Sequence, residues 1–312
     1  MHQPDSTARR VTGRFAFGAL IVANIFLAFG PWMVRLADVG PVAAAFWRIL
    51  IAVPFLLLLA IPALKKGLPR KHGLTVIILV GGLFFAADLA SWHFAILHTK
   101  LANATLLGNS SSFIFPVYGF IILRAWPRPI QATALGLALA GALLLVGRSY
   151  QLSATHARGD MLAILASIFY TFYLIAIDRA RRILAPMPIL ALATVASAAP
   201  LLIFTVALGE QIMPHNWTPL ILLSLGSQVI GQGLLVYSIG HMRPLVVGLA
   251  LFTQPAITAV IGWIVYGEAL GPADIVGALL ICAAIVLIRL PSGRDLDSGS
   301  NDPHLGEVRR GT

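Results

Sequence analysis

The chain has 312 residues, of which 58% are hydrophobic and only 11% are charged. Soluble globular domains carry about 25% charged residues, so this composition excludes a water-soluble fold. The net charge of +10 would suggest nucleic acid in a soluble protein, but the basic residues here border long apolar segments, so no nucleic-acid partner is expected.

Ten apolar segments follow one another along the chain, each long enough to cross about 30 Å of hydrocarbon as a helix. A basic tail (1–14) precedes the first segment, which is too long for a signal-peptide core and is predicted to be retained. A polar tail (291–312) follows the last segment, and its composition predicts disorder. The sequence therefore predicts an all-α integral membrane protein with ten transmembrane helices. The predicted spans are 15–35, 41–62, 74–96, 101–123, 130–147, 159–178, 187–208, 217–239, 244–266 and 272–289.

Basic residues are distributed unevenly between the two sides of these spans. Apart from Arg48, which lies within span two, only Arg35, Lys100, Arg148 and Arg158 fall on the side opposite the N-terminus, and all other Lys and Arg residues fall on the N-terminal side. Cytoplasmic loops of membrane proteins carry the excess of Lys and Arg. Both termini are therefore expected in the cytoplasm of a bacterial cell, with the chain in the inner membrane.

Landmark residues recur about 140 residues apart, which indicates two related halves, 15–150 and 151–290. Each half contains five spans, an odd number, so the second half must enter the membrane in the opposite direction. Many secondary transporters have such inverted repeats, with the substrate site between them near the bilayer midplane. The matching pairs are Pro54 with Pro200, Pro116 with Pro255, and Gly136 with Gly277.

Proline within a span removes a backbone hydrogen bond and bends the helix. Pro54, Pro116, Pro200 and Pro255 are therefore candidate hinges. In spans four and nine the polar stretches NSSSFIFP and LFTQP surround the proline. The alternative is that their Ser and Thr side chains only bond the freed carbonyls or allow close helix packing.

Two ionisable side chains are predicted inside the membrane at similar depths, Arg48 in span two and Asp88 in span three. Each would cost about 2.5 to 3.5 kcal/mol on insertion scales unless it has a partner or a wet cavity. A charge pair or a water-linked contact between them is therefore predicted. In a functional role, Asp88 binds a substrate ammonium or a proton and Arg48 binds a carboxylate; a purely structural pair is the alternative.

Other polar and aromatic side chains within the spans are candidates for substrate binding. Trp92 lies one helical turn from Asp88, although an anchor at the membrane interface is an alternative role for it. His93 is either a pH-responsive group or a solvated side chain at the boundary. The amides of Gln228, Gln232 and Gln254 offer donors and acceptors to a zwitterion, or else hold helices together. Weaker candidates are Asn24, Asn103, Ser110 and Tyr170.

Two stretches resemble the drug/metabolite transporter (DMT) superfamily, ADLASWHFAILHTKLANATLLGNSSSFIFP (87–116) and QVIGQGLLVYSIGHMRPLVVGLALFTQPAITAVIGWIVYGE (228–268). The second resembles the family ending in which a proline in span nine is followed by a glycine and a glutamate, here Gly267 and Glu268. The resemblance covers 15–290 and is to the ten-helix EamA-type members, among them the YddG-type amino-acid exporters. It implies export of amino acids, aromatic or aliphatic, by alternating access.

Motifs of other functional classes are missing from the sequence. There is no P-loop, HExxH pair or GxSxG elbow, so an ATP-driven pump is excluded, an enzyme is disfavoured, and no cofactor or metal is expected. Spans five and ten carry Gly and Ala and are assigned to the scaffold or to a homodimer contact. Two alternatives stay open: a carrier for another metabolite or a cationic drug with Asp88 as the counter-charge, and an intramembrane enzyme acting on lipids.

Overall fold

The structure is a computed structural model that describes residues 6–65, 67, 72–98, 101–124, 126–147, 154–251, 253–266 and 272–289. Throughout these residues the regular structure is helical, without strands. Seven helical segments among them are long and apolar enough to cross a membrane. Shorter or broken apolar helices form the remaining three spans. The predicted all-α architecture of ten transmembrane helices is confirmed.

Six of the ten spans are single helices over the described residues. They are Pro41–Leu64 (span two), His72–His98 (three), Pro129–Gly147 (five), Ala154–Ala180 (six), Pro186–Ala207 (seven) and Pro272–Arg289 (ten). Spans one and four are broken, into Ser6–Ala28 with Gly30–Leu36 and into Leu101–Gly108 with Ser111–Leu123. Span eight is continuous but passes from Thr218–Leu222 through the π-helix Leu223–Gly231 to Gln232–Ile239. Span nine is described as Pro244–Leu251 and Thr253–Tyr266, and residue 252 between them lies outside the described residues.

The first helix begins at Ser6, well before the start of span one predicted at residue 15. The prediction followed the apolar segment alone, whereas a helix can continue past the hydrocarbon into the basic tail. The C-terminal tail (291–312) and the Gly267–Glu268 pair lie outside the described residues.

The break in span one has a local cause in the sequence. It lies at Phe29, two residues before Pro31, which has no N–H to donate within the helix. Span four breaks at 109–110, and Pro116 lies farther along its second helix. In span nine, Pro255 lies within the helix Thr253–Tyr266.

Contacts between the spans show the inverted repeat directly. Spans two and seven, four and nine, and five and ten each pack against their counterpart in the other half. Span three packs against span six, and its counterpart, span eight, packs against span one. Span three also contacts span seven, and in the same way span eight contacts span two. The packing pattern maps onto itself when each span is replaced by its counterpart, as a pseudo-two-fold axis in the membrane requires.

Close approach of small residues stabilises the packing between the halves. Gly82 of span three lies against Ala193 and Ala196 of span seven, so closely that a Cβ at position 82 would come within 2.5 Å of the Ala196 Cβ. Next to this contact the rings of Phe85 and Tyr173 stack with centroids 4.4 Å apart. Close packing of this kind, rather than hydrophobic burial, holds helices together in lipid.

Candidate functional site

A cavity lies between the two halves near the middle of the spans. Its free volume is about 60 Å³, which is enough for several water molecules. Spans one, two, three, four, six, eight and nine contribute to its lining, and spans five and ten contribute none of the described lining residues. The polar and aromatic side chains that line it are Arg48, Phe85, Asp88, Trp92, Asn109, Tyr170, Ser227, Gln232 and Gln254.

Arg48 and Asp88 both reach this cavity although they are almost fully buried, with 2% and 8% of their surface exposed. Among the described contacts, no ion pair joins the two side chains directly. The predicted water-linked contact between them therefore stays a prediction. The arrangement places a guanidinium and a carboxyl group at the same buried space.

The direction of the Arg48 side chain is set from the second half of the chain. Its Nε donates to Oε1 of Gln228 at 3.2 Å, and Gln228 Nε2 donates in turn to the hydroxyl of Thr194 at 3.2 Å. Gln228 is fully buried and lies behind the cavity lining rather than in it. It therefore positions the guanidinium and does not itself face the cavity.

Two further amides join spans around the cavity, one within the second half and one between the halves. Gln232 Nε2 donates to the hydroxyl of Tyr170 at 3.2 Å, and Gln254 Nε2 donates to Oδ1 of Asn24 at 2.8 Å. Asn24 is buried and donates to the Leu20 carbonyl at 2.8 Å. Gln232, Tyr170 and Gln254 line the cavity, while Asn24 supports it from span one.

Several buried polar atoms beside these residues have no partner within the described part of the chain. They are Ser111 Oγ, Tyr173 Oη, Ser224 Oγ, Ser227 Oγ and Gln232 Oε1. A buried polar atom without a hydrogen bond costs about 1 to 3 kcal/mol. Two of these residues, Ser227 and Gln232, line the cavity.

The remaining predicted site residues have different positions. Trp92 lines the cavity, so it is not only an anchor at the membrane interface. His93 is fully buried, and its Nδ1 donates to the Pro41 carbonyl at 2.9 Å, so a solvated histidine at the boundary was the wrong alternative. Ser110 lies in the break of span four but not among the lining residues. The side chains of Asn103 and Pro116 lie outside the described residues.

A network closes the face opposite the N-terminus, called here the far face. It joins the connection between spans one and two (37–40) to that between spans seven and eight (208–217). Glu210 Oε2 accepts from the Ala43 N–H at 2.8 Å, at the start of span two, where the helix dipole favours an anion. Trp47 Nε1 donates to the Ile212 carbonyl at 2.7 Å, and the rings of Trp47 and Trp217 meet edge to face.

The two carboxylates of the far face have pKa values shifted in opposite directions. Burial raises the pKa of Glu210, and the N–H groups of Ala43 and Val42 offset only part of this. For Asp38, burial also acts to raise the pKa, but the backbone N–H groups of Asn216 and His215 outweigh it and hold the pKa below its ordinary value. Both carboxylates bind backbone N–H groups of the opposite half.

On the near face, the side of the N-terminus, an arginine joins two connections of the second half. Arg181 donates from Nη1 to the Gly240 carbonyl at 2.8 Å and from Nε to Asp178 at 3.0 Å. Arg182 lies 3.5 Å from the other oxygen of Asp178. These bonds fix the ends of spans six and eight relative to each other.

Sequence reasoning did not single out Asn109, Ser227 or the far-face carboxylates. Asn109 stands in the quoted NSSSFIFP stretch, so its place at a helix break was the available signal. Ser227 lies one residue before Gln228 within the π-helix, and α-helical spacing gives no reason to place it in the cavity. Asp38 and Glu210 lie in short connections whose pairing across the halves has no local sequence signal.

The model of the EamA-like transporter family matches the chain twice, over residues 14–147 and 157–290. No curated protein matches it significantly. A solved structure titled "Crystal structure of protein" superposes with a TM-score of 0.72 at 17% identity, covering 93% of this chain and 99% of that one. At this identity the likeness shows the fold alone.

Proposed function

This chain belongs to the EamA-like transporter family, and we propose that it is a secondary carrier that exports small zwitterionic metabolites, foremost aromatic or aliphatic amino acids. Family membership indicates a transporter of the DMT type. The proposed substrate class rests on the cavity and on the resemblance to amino-acid exporters, and the proposed outward direction rests on that resemblance alone. Because the sequence has no P-loop, an ion or substrate gradient drives the movement.

The observation that carries this proposal is the pair of opposite charges in one buried cavity. Arg48 offers a guanidinium, which binds carboxylates through two parallel hydrogen bonds, and Asp88 offers an acceptor for an ammonium. Since Gln228 holds Arg48 and no direct ion pair to Asp88 is described, both charges are available to a ligand. A zwitterion matches both and leaves the net charge of the cavity unchanged.

The rest of the lining supports a substrate that has both polar groups and a side chain. Ser227 Oγ and Gln232 Oε1 lack partners among the described residues and can bond the polar end of a ligand. Phe85, Trp92 and Tyr170 form aromatic walls around the same space. Aromatic and aliphatic side chains both pack well against such walls.

Transport follows from the inverted repeat by alternating access. Spans of both halves line the cavity, so a rocking motion of one half against the other would expose it to each side in turn. The breaks in spans one and four and the prolines Pro54 and Pro200 within helices are suitable hinges, as are Pro116 and Pro255 in spans four and nine. We place the chain in a bacterial inner membrane with both termini in the cytoplasm, because of the distribution of Lys and Arg.

Flux measurements in proteoliposomes with three related substrates test this proposal. Phenylalanine carries both charges, phenylalaninamide keeps only the ammonium, and N-acetylphenylalanine keeps only the carboxylate. The proposal predicts that phenylalanine is carried at least about tenfold faster than either analogue, since each analogue loses one charge-assisted hydrogen bond worth about 1.5 to 3 kcal/mol. Protein-free liposomes give the background, and each substrate is measured with and without a pH gradient.

Faster transport of phenylalaninamide than of phenylalanine would contradict the proposal and favour the cationic-drug alternative. That alternative has one observation in its favour, the buried carboxylate of Asp88 in the cavity. Equal transport of all three substrates would show that neither charge takes part in recognition.

A further inference from the structure

Gly108 is the last residue of the first helix of span four and lines the cavity opposite Trp92 of span three. A Cβ at position 108 would lie 2.9 Å from both Cδ1 and Nε1 of the Trp92 ring. Carbon atoms in contact are normally about 3.5 to 4.0 Å apart. The indole therefore occupies the space that any side chain at position 108 would need.

A second fixed side chain lies beside the indole. The ring of the adjacent His93 lies with its centroid 5.5 Å away, and His93 is fully buried and bonded to the Pro41 carbonyl. A rigid indole moves only by rotating about its two side-chain torsions. Because the indole lines the cavity, such a rotation can carry it into that space.

We propose that the contact between Gly108 and Trp92 sets the largest substrate side chain that the cavity accepts. The inference deepens the proposed function and rests on it. With glycine at position 108 the indole lies back against span four, and the cavity keeps its width. A larger residue at position 108 pushes the indole into the cavity, and a smaller ring at position 92 widens it.

A size series of substrates tests this inference in proteoliposomes. Alanine, leucine and tryptophan are compared in the wild type, Gly108→Ala, Trp92→Phe and the double variant. In Gly108→Ala the ratio of tryptophan flux to alanine flux should fall at least about tenfold, since one methylene group in a tight pocket changes selectivity 10- to 200-fold. Trp92→Phe should raise the ratio, and the double variant should return it toward the wild-type value.

The rescue separates selectivity from misfolding, because a damaged fold would lower the flux of all substrates and would not be restored by a second substitution. Gly136→Ala is the matched control, since a Cβ there meets nothing within 4 Å, and its ratio should equal that of the wild type. An unchanged ratio in Gly108→Ala, or a double variant as impaired as Gly108→Ala, would overturn the inference.

The same series is run with the amino-acid amides and the N-acetyl derivatives. If the wild type carries only the amides, the proposed zwitterionic substrate is wrong, yet the ratios among amides of different size still test the role of Gly108 and Trp92. Failure of the inference and failure of the proposed function thus give different results.

Discussion

Arg48 Nε donates to Gln228 Oε1 across 3.2 Å, and the two residues belong to opposite halves of the chain. This bond holds a buried cation at the edge of the cavity without neutralising its charge. If Arg48 turned instead to Asp88, the two charges would satisfy each other and the cavity would lose its affinity for a zwitterion. Gln228 therefore keeps the two charges available to the substrate.

The variant Gln228→Met tests this role of Gln228. It leaves Arg48 without its acceptor, so the free energy of unfolding in detergent should fall by about 1.5 to 3 kcal/mol, which a lower melting temperature would show. The KM for the substrate should rise as well. Thr194→Val is the control, because it removes only the neutral bond to Gln228 and should cost about 0.5 to 1.5 kcal/mol. Equal effects of the two substitutions would show that Gln228 matters for packing only.

Asp88→Asn tests the recognition of the ammonium group. The amide keeps the size of the side chain but not its charge, so phenylalanine flux should fall at least about tenfold while N-acetylphenylalanine loses little. The measurement is the ratio of the two fluxes. Unimpaired phenylalanine transport at every pH would remove Asp88 from both substrate binding and proton coupling.

The spans could be predicted closely from the sequence because length and apolarity are properties of each segment alone. Span nine was predicted at 244–266, and its helices run from Pro244 to Tyr266. The break in span four, at 109–110, lies in the polar stretch NSSSFIFP that the sequence analysis quoted. The contacts between distant segments could not be predicted, because no single segment of the sequence determines them.

The two glutamines of span eight show why positions around a helix were predicted less well. Gln228 and Gln232 are four residues apart, which on an α-helix puts them on one face. In the structure Gln228 lies within a π-helix (Leu223–Gly231), where hydrogen bonds span five residues instead of four. Gln228 therefore lies behind the cavity lining while Gln232 faces the cavity.

The buried carboxylate of Glu210 predicts a pH dependence of stability. Because burial raises its pKa above the ordinary value of 4.5, the folded protein binds more protons than the unfolded chain between these two values. The contribution of Glu210 to stability is present below pH 4.5 and is lost as the pH rises through the raised pKa. Glu210→Gln should remove this dependence, so that the melting temperature of the variant falls less than that of the wild type as the pH rises through the raised pKa.

Asp38 should show the opposite sign. Its pKa is lowered from 3.8 in the folded protein, so its contribution is present above that value and is lost as the pH falls through the folded pKa. Asp38→Asn should therefore reduce stability at neutral pH and flatten the acid limb of the melting curve. A dependence with the same sign as that of Glu210 would contradict the bonds to the N–H groups of His215 and Asn216.

Gly82→Ala tests the close packing between the halves. The new Cβ would lie 2.5 Å from the Ala196 Cβ and 3.0 Å from the Ala193 carbonyl oxygen. These are backbone and Cβ atoms of span seven, so a change of side-chain rotamer cannot relieve the overlap. Overpacking of this kind costs about 1 to 3 kcal/mol, which exceeds the gain of up to about 1 kcal/mol from the higher helix propensity of alanine. Gly18→Ala, with nothing within 4 Å of its Cβ, should only show that gain. A Gly82→Ala protein as stable in detergent as Gly18→Ala would mean that spans three and seven can move apart at no cost.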